Sequence, residues 1–447
     1  MGISAEASTR RSTLSRVTSP ARPRSVKTFY PPRGPRVAMR IELPYGRGFV
    51  SAEIPETADV TVLHPRPLKP SAPAGEIISE ALESASPGLE EEPSGRVVIV
   101  VDDHTRPCPT EVMLDHVLGR LRVPRDRITV IFATGTHRPV SPDEAREILG
   151  KHHGTVEAVS HDCRGGHVYL GETSRGTPVA IDELYQTADY RILLGDVEPH
   201  YFAGYGGGRK SILPGVSSYE TIQANHKMMF LPGAEVGVLD GNPVSEDMEE
   251  AADMAGAEFT LDVVQNAEHE IVSAHGGHHR DVLRAGARVV DRMYKVRYEG
   301  EPADVVIVAA NGYPHDVDLY QAYKALHMAL RVVKPGGTVV FVAECRDGAG
   351  NKKFVEYMRR YSTSGEVEAA LRRTFELGGH KAYYHLRAVE RNRILFLTSM
   401  DPAEVRGLYK MEPVSSLQEG VDAALRGLPN PKVVVMPEGT TTIPVRV

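Results

Sequence analysis

The chain has 447 residues, 41% hydrophobic and 25% charged, the mix of an ordinary folded protein with room for two or three domains. Its 52 basic and 59 acidic residues leave a formal charge of −7, so no global basic field draws it to nucleic acid. No apolar run approaches the roughly 18 residues of a spanning helix, and three cysteines, Cys108, Cys163 and Cys345, are too few and scattered for a disulfide framework or a cysteine-rich zinc site. A reducing cytoplasm is the expected setting.

Residues 1–36 are rich in Arg, Ser and Pro, with Glu6 as the only acid, and read as a disordered tail. They lack the apolar region of a secretory signal, although their bias also suits an organelle transit peptide. Folded sequence is expected from Val37, with alternation over residues 37–43, and an acidic helix is centred on Ile77–Ser84. Apolar runs at Val97–Val101 and Ile128–Ala133 read as buried parallel strands, with helical spacing over Thr110–Leu121 between them. A strand over Arg191–Leu194 precedes a long glycine-rich loop, and helical patterns follow at Pro243–Ala255 and His279–Met293. Strand Val305–Ala309, helix Leu319–Val332 and strand Thr338–Ala343 open a second unit, with Lys334-Pro-Gly-Gly337 as a helix stop. Strands at Arg393–Leu397 and Lys432–Met436 complete it. The expected class is α/β: two α/β domains with mainly parallel sheets and a cleft between them. The first is expected over residues 37–295, with 436–447 a candidate to return to it, and the second over 296–435.

Ligands of open parallel sheets sit at the carboxyl ends of strands, so polar residues soon after each strand carry the functional signal. In Asp102-Asp-His-Thr-Arg-Pro-Cys-Pro109, Arg106 flanked by acids suits an anion, or an ordinary salt-bridged turn. In Thr134-Gly-Thr-His-Arg-Pro139, His137 sits where a general base is useful, while Ser141-Pro-Asp-Glu144 forms a capping box that makes the loop a helix entry. The stretch from Glu198 to Gly215 holds four glycines in the five positions 204–208, which lets backbone N–H groups approach a phosphate or flat cofactor. A mobile glycine-rich surface loop is the plainer reading. Gly204 with Lys210-Ser211 nearly makes a phosphate-binding nucleotide loop, but Arg209 precedes the lysine and Pro214-Gly215 would break the helix it needs. Thr221-Ile-Gln-Ala-Asn-His226 is a short helical stretch ending in a histidine. His275-Gly-Gly-His-His279, like His152 and His153, reads as a solvated loop or an adventitious metal binder.

Taken in order, DDHTRPCP, GTHRP, PHYFAGYGGGRKSILPG, TIQANH and YQAYKAL, with Gly241-Asn-Pro243 and GYPHDVDLYQAYKA, resemble the nickel-pincer lactate racemase family from about Val97 to the end of the chain. The resemblance implies a nicotinic-acid-derived mononucleotide carrying nickel, joined to Lys210 through a thioamide, with His226 as the protein ligand to the metal. It implies His137 and His200 as the acid/base pair. Asp103, Arg106 and Gly206, Gly207 and Gly208 would lie at the cofactor, and Arg106, Gln321, Lys324, Tyr320 and Tyr384 at the substrate. The implied activity is a racemase or epimerase inverting C2 of a 2-hydroxy acid by hydride transfer. Hydride transfer avoids a carbanion beside a carboxylate, and inversion calls for a proton-transferring group on each face, which two histidines supply near neutral pH.

The chain contains no tryptophan, whereas lactate-specific members place one near the substrate. The comparable stretch is Gly378-Gly-His-Lys-Ala-Tyr-Tyr-His385, so Tyr383, Tyr384 or His385 takes its place. A polar wall there points to a larger 2-hydroxy acid or a sugar acid. The alternatives are a sugar or aldonate 2-epimerase with the same cofactor, told apart by the polarity around Tyr384 and Tyr313, and a cofactor-free phosphate- or nucleotide-binding protein. The expected partners are the small-molecule acid and, transiently, cofactor-synthesis proteins, with neither nucleic acid nor membrane.

Overall fold

The computed structural model describes residues 38–447, so the expected tail over residues 1–36 lies outside the described residues. Two six-stranded sheets organise the chain. The first runs in space as Ile271–Gly277, Phe259–Gln265, Tyr190–Asp196, Val97–Val101, Ile128–Phe132 and Glu157–Ser160. Every neighbouring pair is parallel except the first, which is a hairpin. Val97–Val101 lies near the middle and is buried at every position. Val97, Ile99 and Val101 share a core with helices Ala74–Glu83 and Thr110–Arg120, whereas Val98 and Val100 pack on the side of helices Pro243–Ala255 and His279–Tyr294. A strand covered on both faces needs apolar side chains throughout, which is why this run stands out in the sequence.

The second sheet is parallel throughout, in the order Glu412–Val414, Arg393–Leu397, Val333–Val342, Ala303–Ala309, Lys432–Met436 and Asp59–Val62. Its last strand comes from ahead of the first sheet in the chain. The hairpin Met39–Tyr45/Gly48–Ile54 also belongs here, with Ile41, Leu43, Ala52 and Ile54 packed on Val305, Ile307, Val340 and Leu395. Residues 39–62, expected with the first domain, therefore form part of the second layer. Alternation over 37–43 announces one buried face but not what covers it. Strand Ile443–Arg446 lies beside Lys295–Tyr298, which directly follows helix His279–Tyr294.

Lys334-Pro-Gly-Gly337 is not a gap between helix and strand. Helix Leu319–Ala329 ends earlier, and Val333–Val342 already includes these residues, its register on Ala303–Ala309 shifting across them. Gly336, at φ +76°, takes the backbone through the shift.

Candidate functional site

Three adjacent strands of the first sheet, Tyr190–Asp196, Val97–Val101 and Ile128–Phe132, end on the same side and deliver His200, Asp103 with Arg106, and His137. Asp103 is buried; one carboxylate oxygen accepts the Thr105 N–H and hydroxyl at 3.0 and 2.6 Å, and the other meets His137 Nδ1 at 2.6 Å. Burial pushes the Asp103 carboxyl up, but the bonds from His137 and Thr105 outweigh it and hold it below its ordinary range. An ionised carboxylate only accepts, so His137 carries a proton on Nδ1, and in the neutral ring Nε2 is the bare nitrogen.

His200 has the opposite arrangement. Its strand pair Pro199–His200/Gly204–Tyr205 closes a tight hairpin in which the Ala203 N–H donates to His200 Nδ1 at 3.2 Å, leaving the ring proton on Nε2. Burial, then the charges of Lys210 and Arg106, hold His200 well below the ordinary histidine range. Arg106 is paired with Glu198, whose charge raises it. Burial pushes Glu198 up, but Arg106, Lys324 and Lys210 bring it below the ordinary range. Tyr201, the neighbour of His200, packs on His327 of helix Leu319–Ala329 at 4.9 Å, which places that helix of the second layer against these loops.

The glycine-rich loop is not a mobile surface feature: residues 202–209 are buried. Gly207 has φ +78°, and a Cβ there would lie 2.7 Å from Asp262 Oδ2; a Cβ at Gly208 would lie 3.0 Å from the His279 carbonyl. Only glycine fits. The Gly208 N–H donates to Asp262 Oδ2 at 2.6 Å, and fully buried Arg209 donates to the Ala203 carbonyl at 2.9 Å and Ser245 Oγ at 3.0 Å. Arg209, the residue that spoils a nucleotide-loop motif, thus holds the loop in shape. Lys210 follows in a short helical turn, Gly208–Ser211, and burial with the Arg106 charge brings its amine down to about 7.

His226 ends helix Tyr219–His226, whose Ser218 cap accepts the Thr221 N–H. It is buried between Phe202 and Phe375, with ring centroids at 5.4 and 5.1 Å, and burial followed by Lys210 holds it at about 3. A permanently neutral imidazole is the form that binds a metal. One turn earlier, the Gln223 amide donates to the Phe375 carbonyl at 2.7 Å and accepts its N–H at 2.5 Å.

Of the residues expected at the substrate, Lys324 is half-buried and Gln321 exposed on the same helix, and Tyr320 feels the Arg106 charge. Tyr384 stacks on Tyr201, the neighbour of His200, at 6.1 Å and 22°. His385 instead bonds the Tyr409 carbonyl at 2.7 Å inside the second layer, and Tyr383 packs on Phe230. Of Tyr383, Tyr384 and His385, Tyr384 is therefore the one that meets the His200 loop, which His380 of the same stretch also reaches through Phe202 at 6.1 Å. Tyr313 is 40% exposed between Arg47 and Arg346.

Asp196 and Asp262 were not read from sequence, and Asp102 was read only as an acid beside Arg106. Behind Lys210, burial raises Asp102 to about 6 and Asp262 to about 7, and carries Asp196 well above its ordinary value. Asp262 had a signal, a single acid inside the apolar run Phe259–Gln265. The histidine tract is not a solvated loop either. His275 lies on a strand and His278 caps helix His279–Tyr294, while His279 is buried and bonds Asp253 at 3.0 Å. Ligand atoms of Asp253, His278 and His279 lie within 4.8 Å of one another, but Arg280 already occupies Asp253. His152 bonds Asp115 at 2.6 Å.

Two histidines, one with a bare Nε2 and one with a protonated Nε2, reached from the same set of strand ends, suit an isomerase that moves protons reversibly. A family model of the lactate racemase N-terminal domain matches residues 45–237, and one of the lactate racemase C-terminal domain matches 298–444. The chain belongs to the lactate racemase family and is an isomerase of the racemase type. It is 31% identical over 425 residues to the lactate racemase of Thermoanaerobacterium thermosaccharolyticum, covering 90% of this chain and 98% of that protein. Against the lactate racemase of Lactiplantibacillus plantarum it is 31% identical over 423 residues, covering 90% and 99%. The T. thermosaccharolyticum lactate racemase apoprotein structure matches with a TM-score of 0.82 at 30% identity, over 91% of this chain and all of that one (100%). A crystal structure of a Thermotoga maritima protein shares the fold, with a TM-score of 0.60 at 17% identity, over 83% and 97%. Among the described residues no helix is long and apolar enough to cross a membrane.

Proposed function

We propose that this protein inverts C2 of a 2-hydroxy acid, lactate or a larger homologue, with a nickel-pincer nucleotide carried on Lys210. The observation that carries the reading is the convergence, at one set of strand ends, of an amine brought to about 7, a buried neutral imidazole and two acid/base histidines. The residues fit the group. The Lys210 amine is available for acylation, His226 offers a neutral nitrogen to nickel, and Gly206, Gly207 and Gly208 serve by letting the loop pack closely on Glu198, Asp262 and the His279 carbonyl, which fixes where Lys210 emerges. The bound nucleotide supplies an electrophilic carbon that takes up and returns hydride.

The protein's own groups do the rest. Arg106 and Lys324, with Gln321 and Tyr320, hold the substrate carboxylate and so orient C2. His137 accepts the hydroxyl proton at its bare Nε2, and the imidazolium stays paired with Asp103. The resulting 2-keto acid is planar at C2, so either face is open, and His200 serves the second face through Nε2. Lys210 is the largest charge depressing His200. Converting that amine to an uncharged thioamide raises His200 towards the range of a working acid. The first layer thus carries cofactor and catalysis, with its boundary near residue 295, and the second closes over substrate. A cytoplasmic enzyme supplied by cofactor-synthesis proteins fits this reading. The wall of Tyr384, Tyr201 and His327 favours a substrate longer than lactate, which keeps a sugar-acid 2-epimerase as the second reading.

Intact mass and nickel content of protein co-expressed with cofactor-building enzymes test the proposal. A mass increment on Lys210 with about one nickel per chain is expected for a single-metal site. Lys210→Ala should lose the increment, and His226→Ala the nickel, each with unchanged circular dichroism. An unmodified Lys210 without nickel, beside a loaded control enzyme, refutes it and favours a phosphate-binding protein.

A further inference from the structure

Lys381 is a buried cation that the proposed reaction does not use. It lies on helix Gly379–Arg391, is 4% exposed, and has no carboxylate within 4.0 Å among the described residues. Its ammonium donates to the Tyr320 carbonyl and sits 3.7 Å from the Tyr320 ring centre and 5.1 Å from that of Tyr201. An ammonium has three donors, and only this one hydrogen bond is made. The hydroxyl of Tyr201 is buried without any hydrogen-bond partner, as is that of Tyr323, one turn along the helix from Tyr320. Tyr201 follows His200 in the chain and stacks on Tyr384, while Tyr320 and Tyr323 flank Gln321 and precede Lys324 on helix Leu319–Ala329. The unmet groups at this spot are all able to donate, and buried donors of this kind are completed by an acceptor.

The charges around Lys381 point the same way. Burial, and then repulsion from Lys324, hold it well below the ordinary lysine range, while the more remote Asp318 compensates in part. Asp318 already caps helix Leu319–Ala329 by accepting the Gln321 N–H at 2.7 Å. An anion beside Lys381 would offset both the burial and the repulsion.

We infer that Lys381, with the Tyr201 hydroxyl, receives a second acidic group of the substrate, so that the preferred substrate is a 2-hydroxy dicarboxylate. This rests on the proposed C2-inverting activity and specifies its substrate class. The first carboxylate sits at Arg106 and Lys324, and the second, a carbon or two beyond C2, reaches Lys381, held on the Tyr320 carbonyl one helical turn from Lys324.

The test measures kcat/KM of the nickel-loaded enzyme for racemisation of 2-hydroxysuccinate and of lactate, and reads their ratio. The wild-type ratio should favour 2-hydroxysuccinate by at least about tenfold, and Lys381→Met should lower it by roughly 10- to 100-fold, the worth of a hydrogen bond to a charged group. Tyr201→Phe should lower it by about two- to tenfold, and carries the test alone if the lysine variant does not fold. General structural damage lowers both substrates and leaves the ratio in place. A wild-type preference for lactate, or a ratio that neither variant moves, overturns the inference while leaving the racemase reading intact. If loaded wild-type enzyme racemises neither acid, the inference fails, and the C2-inverting reading is then decided separately by activity on larger monocarboxylic 2-hydroxy acids and sugar acids.

Discussion

Asp103 sets which nitrogen of His137 is free, and it does so by accepting rather than by touching substrate. Asp103→Asn keeps the shape but can present an amide donor to Nδ1, turning the ring to the wrong tautomer. Loss of the orienting carboxylate behind a catalytic histidine costs about 10⁴-fold in a serine protease, so kcat here should fall by roughly 10²- to 10⁴-fold with nickel content unchanged. A loaded variant with wild-type kcat would remove Asp103 from the mechanism. Asp262 makes a different prediction. Folded, it keeps its proton up to about 7, against an ordinary aspartate near ~4 when unfolded. Between those values the folded chain binds the extra proton, so this group's contribution to stability declines as pH rises and levels off above 7. In Asp262→Asn the amide oxygen still accepts the Gly208 N–H and no charge remains to bury. Melting temperatures at pH 5 and pH 8 should therefore lie closer together than in wild type; an equally steep dependence would show that Asp262 is not the source. Asp262 carried a signal, a lone acid in an apolar run, that the sequence reading did not use. Lys381 was visible only as a letter, because nothing in GGHKAYYH says which helix face turns inward.

Among the elements, helix Tyr219–His226 is tied to the second layer by the paired bonds between Gln223 and the Phe375 backbone. Gln223→Ala leaves a buried N–H and C=O without partners, at a cost of about 1–3 kcal/mol. Faster amide exchange over residues 219–230 and 375–380 is the expected sign, and unchanged exchange would mean the pairing contributes nothing. Sequence patterning recovered the elements that combine a strong period with a clean edge: Val97–Val101, the capping box at Ser141 and the helix ending at His226. It missed others for identifiable reasons. Strand Phe259–Gln265 carries Asp262 and breaks an apolar run, and Val333–Val342 contains a Pro-Gly-Gly that normally ends an element. The loops at the strand ends were legible because polar, glycine-rich stretches follow buried strands, but the carboxylates behind Lys210 meet only through the sheet order.

At the level of the whole molecule, the hairpin over residues 39–54 covers the second sheet and Asp59–Val62 forms its edge strand before the chain enters the first. Ile41, Leu43 and Ile54 are buried there, each contributing about 1.5–3 kcal/mol. A chain beginning at residue 64 should lose soluble expression or melt many degrees lower, whereas one beginning at residue 38 should melt like the full chain. A shortened chain with wild-type melting would show the hairpin and edge strand to be dispensable. This early strand has a mechanical consequence too. The backbone passes from the second layer to the first between Leu63 and Ala74 and returns between Tyr294 and Ala303, where Ile443–Arg446 lies alongside the return. Two bodies joined at one point can spin, but two bodies joined at two can only swing about the line between the joints. Any relative motion of the two layers is thereby confined to a swing about the line through these crossings, which would return Lys324 to the same position relative to the first-layer loops.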